Sequence, residues 1–241
     1  YKEIVLTGIH TGRYGIDINS SLYELLCELV KIPNIYRIRL SSIEINEVTP
    51  EIIELYKNNK IMARHLHVPL QSGSNKILKL MNRRYNKEEF MKMIDKLREI
   101  EDISLTTDLI VGFPNETDDD FEETMDTLKK IHFTKIHTFP YSRRRGTVAD
   151  KMDGHISGDI KKKRVHEVIE LSNEYENEYY KSKISKVYDG VVERHNNGLV
   201  VVHTSNFIPV IIDDNDNIEN NSIVNVKIER VDGLNVYGRV V

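Results

Sequence analysis

Along the first two thirds of the chain, short apolar runs alternate with stretches whose apolar residues recur every three or four positions. Ile4 to Thr7 reads as a strand, and Leu22, Leu25, Leu26, Leu29 and Val30 form a helical stripe after it. Residues 36–40 alternate with period two, as a strand does. Thr49 and Pro50 then open a helix as cap and first residue, with Ile52, Ile53 and Leu55 on its apolar side. A strand signal at 65–70 precedes a helix with Ile77, Leu78 and Met81, and a further helix carries Phe90, Met93, Ile94, Leu97 and Ile100. The strongest unit is 106–131. Leu109, Ile110 and Val111, stopped by Gly112 and Pro114, have the pattern of a parallel strand covered on both faces. Thr117 or Asp118 can cap the next helix, whose acidic first turn suits the macrodipole and whose Phe121, Met125, Leu128 and Ile131 share a face. A fifth strand lies at 135–140. Five strands, each with a helix nearby, predict an α/β fold, a partial parallel (β/α) barrel, to which a first strand and helix before Tyr1 could be added.

The pattern changes after Tyr141. Residues 142–147 form a basic loop, and a long polar helix is predicted from Gly158 towards Lys186. From Val187 the signal is all β, with short strands at 187–193, 199–203, 208–212, 223–231 and 236–241 and turns at 196–198, 213–221 and 232–233. Five short strands in this length suit a small barrel of oligonucleotide-binding character. The expected division is a first domain at 1–175 and a second at 176–241.

The 241 residues, 39% of them hydrophobic, suffice for one large domain and a small one. No apolar run is long enough to span a bilayer and no signal peptide opens the chain, so a cytoplasmic monomer is expected, without a membrane partner. Cys27 is the only cysteine; it shares an apolar helical face with Leu25, Leu26 and Leu29 and reads as a small core residue. The formal net charge of −4 does not advertise nucleic acid, and residues 176–241 hold 7 Lys and Arg against 10 Asp and Glu. An RNA footprint there would have to be a local face, such as Lys181, Lys183, Lys186 and Arg194 joined to Arg143, Arg144 and Arg145. Arginine-rich loops are as often solvated surface.

Ligands in parallel α/β folds bind at the carboxyl ends of strands. The candidates there are His10 and Arg13, Ser41 and Glu44, Gln71 and Ser72, Asp108 and Glu116, and Tyr141 with Arg143–Arg145. Hydroxyls, an amide, carboxylates and arginines on one rim suit a ligand with ribose, amino-acid and phosphate groups. No Ser-His-Asp order and no phosphate-binding loop is present. His65 and His67 point to one side of a strand, as a metal pair would, but no third ligand lies nearby in sequence, which favours packing and hydrogen bonding. No metal ligands are assigned.

Several ordered segments carry a resemblance. Val5-Leu6-Thr7-Gly8-Ile9-His10-Thr11-Gly12-Arg13-Tyr14-Gly15, Arg37 to Glu44, His67-Val68-Pro69-Leu70-Gln71-Ser72-Gly73-Ser74, Asp108 to Pro114 and Pro140-Tyr141-Ser142 together resemble the radical S-adenosylmethionine methylthiotransferases. The tail, Val226-Lys227-Ile228 to Leu234-Asn235-Val236-Tyr237-Gly238, resembles that family's TRAM domain, an RNA-binding β-barrel. The Gly8–Gly12 loop resembles the branch that methylthiolates N6-threonylcarbamoyladenosine beside the anticodon of tRNA. The resemblance implies S-adenosylmethionine at the strand ends: Gln71 and Ser72 facing its ribose and methionine part, Ile110 and Gly112 against adenine, and Ser41, Glu44 and Asp108 as polar rim positions. It implies a tRNA anticodon stem-loop as partner. Arg143–Arg145 follow the last barrel strand, so they are expected on the rim, facing the TRAM domain across the long helix and contacting the RNA. The resemblance also implies two 4Fe-4S clusters in the intact protein, whose cysteine loop this chain lacks. A lone Cys27 cannot hold a cluster, so the chain by itself is expected to be inert. The alternatives are a ribosomal-protein methylthiotransferase of the same family, a non-catalytic RNA-binding module, and an unrelated α/β barrel with a β tail.

Overall fold

The protein is represented by a computed structural model that describes residues 1–194, 200–213 and 218–241. The turn expected at 196–198 and the centre of that at 213–221 lie outside the described residues. Five strands, β1 (Glu3–Leu6), β2 (Arg37–Leu40), β3 (His65–His67), β4 (Ser104–Val111) and β5 (Lys135–Pro140), run parallel in sequence order. β1 pairs with β2, and β3, β4 and β5 pair in a second sheet. A parallel bridge between Ile38 and Met62 joins the two sheets into one arc. The helices α1 (Leu22–Leu29), α2 (Pro50–Asn58), α3 (Asn75–Leu80), α4 (Lys87–Leu97) and α5 (Asp118–Ile131) return the chain between strands. Their starts follow the local chemistry: Thr49 caps α2 with Pro50 at its first position, and Asn86 with Glu89 and Thr117 with Asp120 form capping boxes on α4 and α5.

The two faces of the arc differ. Leu40, Leu66, Leu105, Leu109 and Val111 are buried with the helices in one core. The opposite, concave face carries Arg39, His65, His67, Thr106, Asp108 and Ile110. Here the expectation of a strand covered on both faces fails: Asp108 and Ile110 are only half-buried. An arc of parallel strands puts helices on its outside only, so alternate residues of β4 line its hollow.

A 24-residue helix, α6 (Gly158–Lys181), runs back along β5. It covers that strand's outer edge, where Ser172 Oγ accepts from the Ile136 amide at 2.9 Å and Lys135 pairs with Glu176 at 2.9 Å. It stops short of Lys186 because the chain is captured by the sheet that follows: the Ser185 amide donates to Ile228 O, and the Ile228 amide to Lys186 O.

That sheet is a closed five-stranded barrel of β6 (Val187–Arg194), β7 (Val200–Thr204), β8 (Pro209–Ile212), β9 (Ile223–Asp232) and β10 (Asn235–Val240), in the order β10-β8-β7-β6-β9. Val192, Val202, Val210, Val226, Ile228 and Val236 fill it. The register of β10 on β9 shifts between Tyr237 and Gly238, where an added Cβ would lie 2.4 Å from Lys227 O, so only glycine permits this approach.

The barrel docks under the amino ends of the arc. Arg37, 1% exposed, pairs with Glu3 at 3.0 Å and with Asp189, and donates to His203 O at 3.2 Å. Arg39 pairs with the same Glu3 and donates to Thr204 O, while the Arg64 amide donates to Ser205 Oγ and Asn206 to Asp102. Arg143–Arg145 follow the carboxyl end of β5. They and the barrel therefore stand towards opposite ends of α6, which is itself about 36 Å long at 1.5 Å per residue. The expected single basic face across the helix is not formed; Lys183, one of its proposed members, is buried against Asp102.

Candidate functional site at the carboxyl ends of the strands

The carboxyl ends of β3, β4 and β5 open on a cavity of about 940 Å³. Three connections build it. The segment after β3 is laid along β4 because Thr107 Oγ1 accepts from the Leu70 amide and donates to Val68 O, both at 2.8 Å. Gln71 then takes a left-handed conformation (φ 69°), with its amide donating to Asp108 O and its carbonyl accepting from Ile110, which turns its side chain to the cavity. Behind it Gly73 lies flat on α5: its amide donates to Thr124 Oγ1 at 3.2 Å and its carbonyl accepts from Thr127 at 3.0 Å. A Cβ there would stand 2.7 Å from Thr124 Cα, so glycine is required by the close approach.

The walls are mixed. Ile110, Phe113, Phe139, Met81 and Met152 give apolar surface, and Gln71, Asp108, Asn82, Arg83, Tyr141 and Arg144 give polar groups. Asp108 lies 3.3 Å from His67 Nε2, and Arg83 pairs with Glu44 at 2.9 Å. The Tyr141 hydroxyl and Arg83 Nε are buried without a protein partner. A ligand with donors and acceptors beside a flat apolar group fits this set.

Of the residues expected at the site, Gln71, Asp108, Ile110 and Arg144 line the cavity. Glu44 reaches it only through Arg83. Ser41 sits beside β1, its amide donating to Leu6 O. Ser72 is fully buried under α5, near Thr124 Oγ1 at 3.4 Å. Gly112 (φ 71°) faces α6, where a Cβ would meet the Lys161 side chain. Its amide donates to Glu116, which is buried against Arg164 rather than at the mouth. Arg143 is pinned to Asp150 at 3.0 Å, and Arg145 is exposed outside the cavity lining. Sequence reasoning missed Arg83, Asn82 and the 147–152 segment as walls. The glycine-like turn at Asn82 (φ 58°), which presents Arg83, gives no apolar period to notice.

The family model of the Radical SAM superfamily matches residues 3–128, and this chain belongs to that superfamily. Among curated relatives, the threonylcarbamoyladenosine tRNA methylthiotransferase MtaB of Thermotoga maritima is 46% identical over 187 residues, covering 77% of this chain and 43% of that protein. The MtaB of Bacillus subtilis is 40% identical over 219 residues, 88% of this chain and 49% of the relative. The tRNA-2-methylthio-N(6)-dimethylallyladenosine synthase of Thermodesulfovibrio yellowstonii is 40% identical over 244 residues, all of this chain and 56% of the relative. The chain thus spans about half the length of the relatives it matches. In fold it is similar to coproporphyrinogen III oxidase of Escherichia coli, a radical SAM enzyme, with a TM-score of 0.54 at 19% identity over 64% of this chain and 37% of that one.

The superfamily implies S-adenosylmethionine and an iron–sulfur cluster. The cavity fits the first, with an unpartnered buried hydroxyl, a carboxylate and an amide beside Ile110 and Phe139. The residues do not fit the second. Cys27 is the one cysteine of the sequence and is half-buried on α1, and among the described residues no three His, Cys, Asp or Glu converge as a metal site. Among the described residues, no helix is long and apolar enough to cross a membrane.

Proposed function

We propose that the chain is the S-adenosylmethionine-binding and RNA-contacting portion of a tRNA methylthiotransferase acting on N6-threonylcarbamoyladenosine beside the anticodon. The observation that carries this reading is the cavity on the strand ends, with Gln71, Asp108 and Ile110 together on its wall, in a chain 40–46% identical to two proteins of that name. Gln71, Asp108 and the Tyr141 hydroxyl hold the ribose and amino-acid groups, and Ile110 with Phe139 receives the adenine. Bound there, S-adenosylmethionine is the group from which the superfamily's radical chemistry starts. This chain's own residues bind and orient it and shelter it from water. The closed barrel is assigned as a TRAM-type RNA-binding domain, supported by its five-strand closure and small size. In this reading both iron–sulfur clusters of the intact, cytoplasmic, monomeric enzyme take their thiolates from outside the 241 residues. The dimethylallyladenosine branch is a close second, because relatives of that name align with the whole chain. The test is nucleoside mass spectrometry of tRNA from cells with and without the intact gene. Loss of the methylthio group from threonylcarbamoyladenosine alone is expected. Loss from dimethylallyladenosine alone assigns the other branch, and unchanged tRNA with loss from a ribosomal protein overturns the proposal.

A further inference from the structure

The hollow of the arc contains a line of polar groups that the reading above uses only at one end. His65 and His67 alternate on β3, and Thr106 and Asp108 on β4, so all four point into the hollow. Thr106 Oγ1 lies 3.0 Å from His65 Nε2 and 2.9 Å from His67 Nδ1, and His67 Nε2 lies 3.3 Å from Asp108 Oδ2. A hydroxyl has one proton, so Thr106 can donate to only one of the two rings.

The buried end of the line fixes its direction. His65 Nδ1 is buried with no partner, as suits an unprotonated nitrogen, so the ring's proton sits on Nε2 and is donated to Thr106 Oγ1. The Thr106 hydroxyl then donates onward to His67 Nδ1. On its other side the His67 ring faces the Asp108 carboxylate, Nε2 to Oδ2 at 3.3 Å. Burial and the nearby Arg39 push the His65 pKa down to about 3, which keeps that ring neutral. His137, its ring 5.7 Å from that of His67, is held low in the same direction by its own burial.

The amino end of the line is closed by the C-terminal barrel. Phe207, in the β7–β8 turn with φ 66°, stacks on His65 at 4.6 Å between centroids and 22° between planes. The Arg39 guanidinium lies 4.8 Å from the Phe207 ring. A bulky side chain held in the left-handed region marks a conformation imposed by its surroundings.

We infer that Thr106 and His67 are positioning residues: hydrogen bonds running from His65 through Thr106 hold the His67 ring, whose Nε2 faces the Asp108 carboxylate and aims it into the ligand cavity, and the Phe207 turn of the C-terminal barrel fixes the other end of this column. The seating of that barrel thereby bears on ligand affinity at the opposite end of the strands. The ligand half of this inference rests on the S-adenosylmethionine reading; the column itself does not.

Two measurements test it on the chain as it stands. Nitrogen-15 spectra of histidine-labelled protein should show the His65 proton on Nε2 and a hydrogen-bonded, unprotonated Nδ1 on His67. Thr106→Val removes the hydroxyl at nearly constant shape. It should release His67 into mixed tautomers and weaken S-adenosylmethionine binding about tenfold by calorimetry, the scale of one hydrogen bond. Thr106→Ser should restore both. Phe207→Ala should shift the His65 signals and weaken binding in the same direction. A wild-type His67 protonated on Nδ1, or a folded Thr106→Val protein that binds as wild type does, overturns the column. A Phe207→Ala protein with unchanged His65 signals and affinity overturns the link to the barrel. Failure of wild type to bind S-adenosylmethionine would instead sink the functional reading, and the tautomers would still decide the column.

Discussion

Arg164 of α6 lies 2.5 Å from Glu116, with the two side chains 5% and 1% exposed. The same arginine reaches Asp118 at 2.7 Å, and the same glutamate accepts from the Gly112 amide at 2.6 Å. One ion pair thus ties the loop after β4 to the helix that seals β5. Truncating one partner strands a buried charge, so Arg164→Met should lower stability by about 3–5 kcal/mol. The double variant with Glu116→Gln should recover much of that loss. Urea unfolding of the three proteins checks both statements, and equal stability of Arg164→Met and wild type would remove the pair from any structural role.

Gly73 gives a second test. Its added methyl would collide with Thr124 Cα at 2.7 Å and Thr127 Cβ at 2.8 Å, both on α5. Gly73→Ala should therefore cost about 1–3 kcal/mol by overpacking. It should also move Gln71 off the cavity wall and weaken S-adenosylmethionine binding, read by calorimetry. Unchanged affinity would show that the turn does not position Gln71.

Stability should depend on acid through His65. Its folded pKa, about 3, lies below the ordinary histidine value. As pH falls from about 6.5 towards 3, the unfolded chain takes up a proton that the folded protein refuses, so stability falls across that window. His65→Gln should flatten the fall by about one proton's slope. The measurement is unfolding free energy against pH for both proteins, and parallel curves would contradict the assignment.

The three arginines after β5 should behave differently from one another. Arg144 lines the cavity, while Arg143 is held by Asp150 and Arg145 points elsewhere. If the intact protein binds tRNA as proposed, Arg144→Ala should lower the slope of log tRNA affinity against log salt by roughly 0.7–0.9, as one lost phosphate contact does. Arg143→Ala should leave that slope nearly unchanged and loosen the 143–150 loop, seen as faster hydrogen exchange. Equal slopes for wild type and Arg144→Ala would make the rim arginines solvated surface.

Much of this was legible from pattern. The five strands, the cap at Thr49 and the five strands of the barrel follow from period, turn residues and cap chemistry, which act locally. Gln71, Asp108 and Ile110 line the cavity because they sit at strand ends whose direction the alternation sets. Ser72 and Gly112 do not, because a single left-handed residue beside each, or at it, rotates the chain by contacts with α5 and α6 that have no local signal. The misplaced basic face has the same origin. Sequence shows that a long helix separates Arg143–Arg145 from the barrel, but only the buried Arg37, Arg39 and Glu3 contacts show which end of the arc the barrel occupies.

The order β10-β8-β7-β6-β9 closes on itself. Among the described residues this closed ring of strands leaves no free row of amides and carbonyls along a strand, which disfavours addition of an extended peptide or neighbouring sheet by main-chain pairing. Whatever this small domain grips must be read by side chains and loops on its outer surface. It is thereby protected from edge-to-edge self-association.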